Sequence, residues 1–357
     1  MRYIRFLKTP RVVTEKGTSK RQISCLITIT SDLGDSFLPY DVEMAAEVLS
    51  PPPSEEVLLW RNLQWKAGMR SLPVTFPLAT NCKTSSLRIR VGYGSKSKHD
   101  DYKKLSENGA CGVVSAWSPE FTPSLAAGEA EKLVGRRFEL SEDHVVNIYE
   151  ETGESIARHL WDAGITLSCH IGRLLDCDSP KSKPLLPSGR PALLRVLELG
   201  AGCGMVGIAI AQTVAKAQVL LTDLLEAREI VECNIKHASP AQGSTLKFEK
   251  LDWDDELPLD LRTFSSCLNL VVAADCTYNP DSSPALVQTL KRLVNVSPEA
   301  VVAIAMKMRH ASEEIFFDLM SEAGFLETTT LDFPLPGDIE AGEEVVYLHV
   351  YRYSPSG

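Results

Sequence analysis

The stretch Leu194–Ala211, LRVLELGAGCGMVGIAIA, decides how the rest of the chain is read. An apolar run carrying a single carboxylate, Glu198, breaks into Gly200, Gly202, Gly204 and Gly207 and then resumes as apolar sequence. Glycines directly after a strand let the backbone approach a ligand, and a helix that starts there turns its N-terminus toward it. Taken literally, Gly202-Cys-Gly204-Met-Val-Gly207 is GxGxxG, and Asp223 follows at the end of the next strand, where dinucleotide-binding folds keep a ribose-binding acid. On that reading alone, a nicotinamide dehydrogenase and a plain structural turn both stay open.

Outward from the turn, strands alternate with helices. RVLEL, QVLLTD, TLKFEKLDW, LNLVVAADC and AVVAIAMKM have the texture of strands, while MVGIAIAQTVAKA, LEAREIVECNIKHA, ALVQTLKRLV and EEIFFDLMSEAG read as helices. This alternation predicts a parallel sheet covered by helices on both faces. The chain closes with FLETTTLDF and EVVYLHVYRY, two strands with no helix between them, so one strand of the sheet should run antiparallel. Upstream, Ile156, Leu160, Ala163, Leu167 and Ile171 recur at helical spacing, followed by a Pro/Ser/Lys loop. The first ~140 residues are different in kind: RQISCLITIT, DVEMAAEVL, SLPVTFPL, SSLRIRVGY and ACGVVSAWS are short strand-like runs between Pro, Gly, Ser and Asn clusters. They predict a small sandwich or barrel.

The chain has 357 residues and a formal net charge of −10. That length accommodates two domains, and the acidic balance speaks against a phosphate-backbone partner, which needs a clustered positive surface. Small-molecule chemistry or a basic protein partner fits better. The nine cysteines include no CxxC and no metal-finger spacing, and no apolar run approaches the ~20 residues of a membrane span. A reducing compartment, cytosol or nucleus, is the expectation, with no membrane and no metal.

The wider pattern around the turn separates the cofactors. Glu198-Leu-Gly200-Ala-Gly202-Cys-Gly204 is E-x-G-x-G-x-G, which resembles the first motif of class I S-adenosylmethionine-dependent methyltransferases. A carboxylate beside the turn suits a cofactor carrying an ammonium and a sulfonium and would repel a pyrophosphate. Further along, Asp275-Cys-Thr-Tyr278 ends a strand at the edge where open α/β sheets bind ligands. Asp-x-x-Tyr resembles the family-16 methyltransferases, a group containing many protein-lysine methyltransferases, whereas the Asp/Asn-Pro-Pro-Tyr of DNA and RNA amine methyltransferases is absent. Glu150, Gly153, Trp161 and Asp162 resemble that group's Glu/Gln…Gly…Trp-Asp/Glu-Ala segment. The resemblance spans roughly residues 147–352, and the β-rich first third is an addition that smaller members lack.

The resemblance implies an α/β fold: a Rossmann-like seven-stranded methyltransferase sheet with an antiparallel last strand, preceded by a smaller β-rich domain. The expected division is 1–140 for the β-rich domain and 141–357 for the methyltransferase domain. It implies a protein-lysine N-methyltransferase using S-adenosyl-L-methionine, with a protein substrate that family analogy suggests is a translation elongation factor. Glu198, Gly200, Gly202, Gly204, Asp223, Asp252, Trp253, Ala274 and Trp161 are implied to border the cofactor, and Asp275 and Tyr278 to form the catalytic pair. Tyr278 would shape the lysine channel, and Asp275 would orient the amine or the cofactor edge.

Each residue also has a plainer reading. Asp223 suits a helix N-cap, Trp253 and Trp161 suit a core, and Tyr278 suits packing on the next helix. Lys307, Arg309 and His310 read as solvated loop residues, with a substrate border as the alternative. The loop LDFPLPGDIEAGEE is expected to bring Asp332, Asp338, Glu340, Glu343 and Glu344 to the same edge, where they would attract a cationic substrate. The competing functions are methylation of a small amine or nucleic acid, and an inactive binding protein on the same fold.

Overall fold

The computed structural model describes residues 1–357 except 16, 79–85, 108, 125–128, 153–154, 177–184, 338–344 and 355–357. The chain divides into two compact units, the first of Met1–Glu139, Asn147–His159 and Leu335–Glu343, the second of Leu140–Val146, Leu160–Pro334 and Glu344–Gly357.

The first unit holds two sheets. One has the order β5-β2-β1-β7, built from β1 (Arg2–Thr14), β2 (Arg21–Thr30), β5 (Leu72–Leu78) and β7 (Val113–Val114). The other has the order β10-β9-β8-β6-β3-β4, from β3 (Val42–Leu49), β4 (Val57–Trp65), β6 (Arg88–Gly92), β8 (Ala116–Trp117), β9 (Leu133–Ser141) and β10 (His144–Glu151). One hydrophobic core draws on both sheets: Ile4, Ile27 and Ile29 from the first, Val48, Ile89, Val91 and Val134 from the second. Burial on both sides of β6 sets the pattern of its charges. Arg90 pairs with Glu47 at 3.2 Å, and both side chains are fully buried. Arg88 and Arg137 share Glu55 at 2.6 and 2.5 Å. An unpaired charge in such a place would cost several kcal/mol, so each of these arginines meets a carboxylate.

A single cut at residue 140 does not describe this arrangement. β10 is hydrogen-bonded beside β9, so Asn147–His159 groups with the first unit. Glu150 belongs there too: its carboxylate meets Arg136 at 2.6 Å with both side chains buried. Burial pushes the Glu150 carboxyl up, but Arg136 and His159 outweigh it and hold the group below its ordinary range. Sequence periodicity also began the next helix too early. Ile156–Arg158 is one 3-10 turn, and the helix α1 runs Asp162–Leu174 with Trp161 at its N-cap.

The second unit is a seven-stranded sheet of order β13-β12-β11-β14-β15-β17-β16. Its strands are β11 (Leu194–Leu199), β12 (Ala217–Asp223), β13 (Thr245–Lys250), β14 (Leu270–Ala274), β15 (Val301–Met306), β16 (Phe325–Pro334) and β17 (Val345–Tyr353). All pair in parallel except β17, which is antiparallel to both β15 and β16. The helices are α2 (Met205–Thr213), α3 (Arg228–His237), α4 (Leu259–Ser265), α5 (Ser283–Val296) and α6 (Ile315–Glu322). β11, β14 and β15 are near-continuous apolar runs because the central strands are buried on both faces. Strand order reverses between β11 and β14, the switch point at which open α/β sheets leave a crevice beyond their carboxyl ends.

Candidate active site

The turn after β11 is built by backbone that only glycine adopts cheaply. Gly200 has φ +59 and Gly204 φ +79, the left-handed region that a Cβ disfavours. Space excludes a side chain at Gly200 as well: a Cβ there would sit 2.6 Å from the Cys276 sulfur and 3.2 Å from the Trp253 ring. Gly204 is the N-cap of α2 and supplies no side chain to the cap, so the first turn of the helix opens toward the crevice. α2 is buried from Met205 to Gln212, which explains why its sequence is apolar all round.

Two carboxylates brace this turn. Glu198 is buried, and its Oε2 accepts the Gly207 N–H at 2.8 Å, fastening α2 to β11. Burial pushes the Glu198 carboxyl up to about 8, against the Gly207 bond and with the charge of Asp223 adding to the rise. Asp223 ends β12. Its Oδ2 accepts the Gly202 N–H at 2.7 Å and its Oδ1 the Leu224 N–H at 2.7 Å. Burial raises the Asp223 carboxyl despite these bonds. Each oxygen of an ionised carboxylate has further lone pairs, so Asp223 keeps acceptor capacity for two hydroxyls. Behind the turn, Thr222 Oγ1 donates to the Glu198 carbonyl at 2.6 Å and buried Asn234 donates to the Cys203 carbonyl at 2.9 Å.

Trp253 stands at the Gly200 side of the turn, with its carbonyl held by Thr289 and Arg292, each at 3.1 Å. Asp252 Oδ1 accepts the Asp254 N–H at 3.2 Å, shaping the same loop. Ala274 closes β14, and Cys276 beyond it is buried with Sγ 3.4 Å from the Leu199 carbonyl. Burial first, then Asp223, Asp275 and Glu198, push this thiol far up, so it packs as a small apolar group and is no nucleophile. Tyr278 is 48% exposed. Burial of its inner part raises the phenol, with Cys276, Asp223 and Glu226 adding to the rise.

Asp275 has φ +55 and is buried. Its Oδ2 accepts the Ala163 N–H at the start of α1 at 2.8 Å, and its Oδ1 accepts from Arg309 Nη1 at 2.8 Å. Asp162, also buried, takes the Lys307 ammonium at 3.0 Å. The Arg309 guanidinium lies 5.8 Å from the Trp161 ring centroid. Lys307 and Arg309 are thus part of the buried edge, not solvated loop residues. Sequence reading favoured a solvated loop because nothing local distinguishes a cation whose carboxylate lies 145 or 34 residues away. His310 does stay exposed, with its N–H donating to Glu313 Oε1 at 3.0 Å. Asp332 is exposed on β16, whereas Gly153, Asp338, Glu340, Glu343 and Glu344 lie outside the described residues.

The donor set suits one cofactor class. Glu198 and Asp223 put two carboxyl groups against the glycine turn, a setting that suits a sulfonium and an ammonium, which favour the ionised form of both, and not a pyrophosphate. The lysine methyltransferase family matches residues 140–323, just over half of the chain. The chain belongs to the lysine methyltransferase family. As such it is a protein-lysine N-methyltransferase that uses S-adenosylmethionine. Its relatives include a UPF0665 family protein of Schizosaccharomyces pombe, 29% identical over 322 residues, covering 88% of this chain and 91% of that protein. EEF1A lysine methyltransferase 3 of Mus musculus is 31% identical over 193 residues, covering 53% of this chain and 74% of its own length. Protein N-lysine methyltransferase METTL21A of Danio rerio is 31% identical over 186 residues, covering 52% and 72%. In this methyltransferase the turn itself, with Asp223, Trp253 and Glu198 around it, is the set of residues that could hold this cofactor.

Proposed function

We propose that this methyltransferase modifies a lysine of a translation elongation factor, with the acceptor amine entering beside Tyr278. The observation that carries the site assignment is the meeting of three acids at one sheet edge: Glu198 and Asp223 at the glycine turn, and Asp275 at the end of β14. The elongation factor is supported by the 31% identity to EEF1A lysine methyltransferase 3.

S-adenosylmethionine supplies an electrophilic methyl group on its sulfonium when bound. The protein's task is then positioning and exclusion of water, because an in-line displacement gains chiefly from alignment of its partners. Glu198 and Asp223 hold the donor by charge and hydrogen bonding. Ala274 and Trp253 form the walls beside Gly200, and Trp161 borders the edge from the start of α1. Tyr278 shapes the channel through which a lysine reaches the methyl. Asp275 orients the cofactor edge by fastening the first turn of α1. A lysine must arrive as the neutral amine, and desolvation next to a cation lowers its pKa without a dedicated base.

The test is transfer of labelled methyl into a lysate from cells that lack the protein, with each labelled lysine mapped. A single labelled elongation factor supports the substrate, and a different labelled protein replaces it. Asp275→Ala should abolish labelling while S-adenosylmethionine binding, read by calorimetry, stays close to wild type. Turnover within a few-fold of wild type would remove Asp275 from the site.

A further inference from the structure

Two other segments, the loop after β14 and the residue ahead of α1, meet the Arg309 guanidinium. Arg309 follows β15, and its Nη1 lies 2.8 Å from Asp275 Oδ1 and 3.2 Å from the Lys307 carbonyl. Its face is turned to Trp161, ahead of α1. Its backbone N–H donates to Oε1 of buried Glu313 at 3.1 Å, which pins the loop from the side of α6. Two residues earlier, Lys307 reaches buried Asp162. Asp275 and Asp162 therefore each have their own cation, and the first turn of α1 is tied to the end of β15.

We propose that Arg309 is a positioning residue for methyl transfer: it keeps Asp275 charge-compensated and Trp161 in place, so that the lysine subsite offers no free anion to the incoming ammonium. This rests on the assignment of the Asp275–Tyr278 edge to the lysine subsite. A free carboxylate beside the acceptor would stabilise the ammonium and raise its pKa, working against attack. A guanidinium stays charged at any working pH, presents a planar fork to the carboxylate and can lie on an aromatic face at the same time. An ammonium can do only the first of these. Among the described residues, the groups around Asp275 include Arg309 and Lys307 from the end of β15, Asp162 and the Ala163 N–H from α1, and Cys276 and Tyr278 in its own loop.

The experiment compares full-length wild type, Arg309→Gln and Arg309→Lys. The readout is methyl transfer from labelled S-adenosylmethionine into the same lysate of cells lacking the protein, followed across pH. Arg309→Gln should move the acid limb of kcat, which reports the bound lysine, to higher pH and lower its plateau about tenfold or more, about 1.4 kcal/mol of barrier. Cofactor affinity should change little. Arg309→Lys should restore the position of the acid limb while kcat stays reduced, because charge returns but fork and stack do not. A folded Arg309→Gln with wild-type kcat and an unmoved acid limb overturns the proposal. If Arg309→Gln does not fold, Arg309→Lys decides: full kcat overturns it, and a reduced kcat with unchanged cofactor affinity supports it. Asp275→Ala and Tyr278→Phe separate the two readings. If both keep turnover, the subsite assignment itself fails; if both lose it while the Arg309 variants are normal, only the role of Arg309 fails.

Discussion

At the scale of single residues, Glu198 shows how burial turns an ordinary carboxylate into a linked proton site. It lies one residue before the end of β11 with Oε2 on the Gly207 amide, and burial lifts its carboxyl from 4.5 to about 8. A carboxyl with a raised folded pKa binds more protons folded than unfolded across that window, so its contribution to stability is present below 4.5 and is lost as pH rises through about 8. The slope for one such group approaches about 1.4 kcal/mol per pH unit. Thermal unfolding of the ligand-free protein should therefore show a melting temperature that falls over this range, and Glu198→Gln should flatten the fall. Affinity for the cationic cofactor should rise with pH over the same window, because a cation favours the ionised carboxylate. A glutamine variant with wild-type pH dependence in both measurements would show that Glu198 is not the group responsible. The sequence placed this acid beside the turn correctly; that one of its oxygens serves the Gly207 amide was decided by the packing of α2.

At the scale of elements, the strand–turn–helix unit β11–α2 works because two segments approach more closely than side chains allow. A Cβ on Gly207 would lie 2.2 Å from Leu221 Cδ2 and 2.7 Å from Glu198 Oε2. Gly207→Ala should destabilise the fold by about 1–3 kcal/mol through overpacking, read as a lower denaturation midpoint in urea with an unchanged slope. An unaltered midpoint would mean that β12 yields at no cost. Most elements of this unit were legible, since long apolar runs and amphipathic helices carry their period locally. β2 matched residue for residue at Arg21–Thr30. β1, β4, β9 and β10 escaped, although β1 is Arg2–Thr14 and pairs along nearly its whole length with β2. Their sequences interleave arginines and other polar residues with the apolar ones, and only the partner strand and the buried ion pairs explain why such residues sit in a sheet.

At the scale of the whole molecule, chain order and compact units do not coincide. Because β10 pairs beside β9, a fragment of residues 141–357 would carry β10 without its neighbour and Glu150 without Arg136. Removing one partner of a buried pair costs about 3–5 kcal/mol, and a bare strand edge invites association. Such a fragment should elute as aggregate in size-exclusion chromatography or melt well below the full chain. A monomer with the full-length melting temperature would refute this. Cys25, Cys267 and Cys276 are free thiols, and Cys82 and Cys177 lie outside the described residues. Among the described residues no helix is long and apolar enough to cross a membrane.

The sequence alone determined the glycine turn, the acids at its flanks, the strand–helix alternation and the antiparallel closing strand, because each is written in residues close along the chain. Only the tertiary structure decided what those acids hold. Asp275 is committed to Arg309 and to the start of α1, Asp162 to Lys307, and Glu150 to Arg136. A buried charge is stable only beside its counter-charge, and the counter-charge is chosen by strand order across the sheet, which no local pattern records.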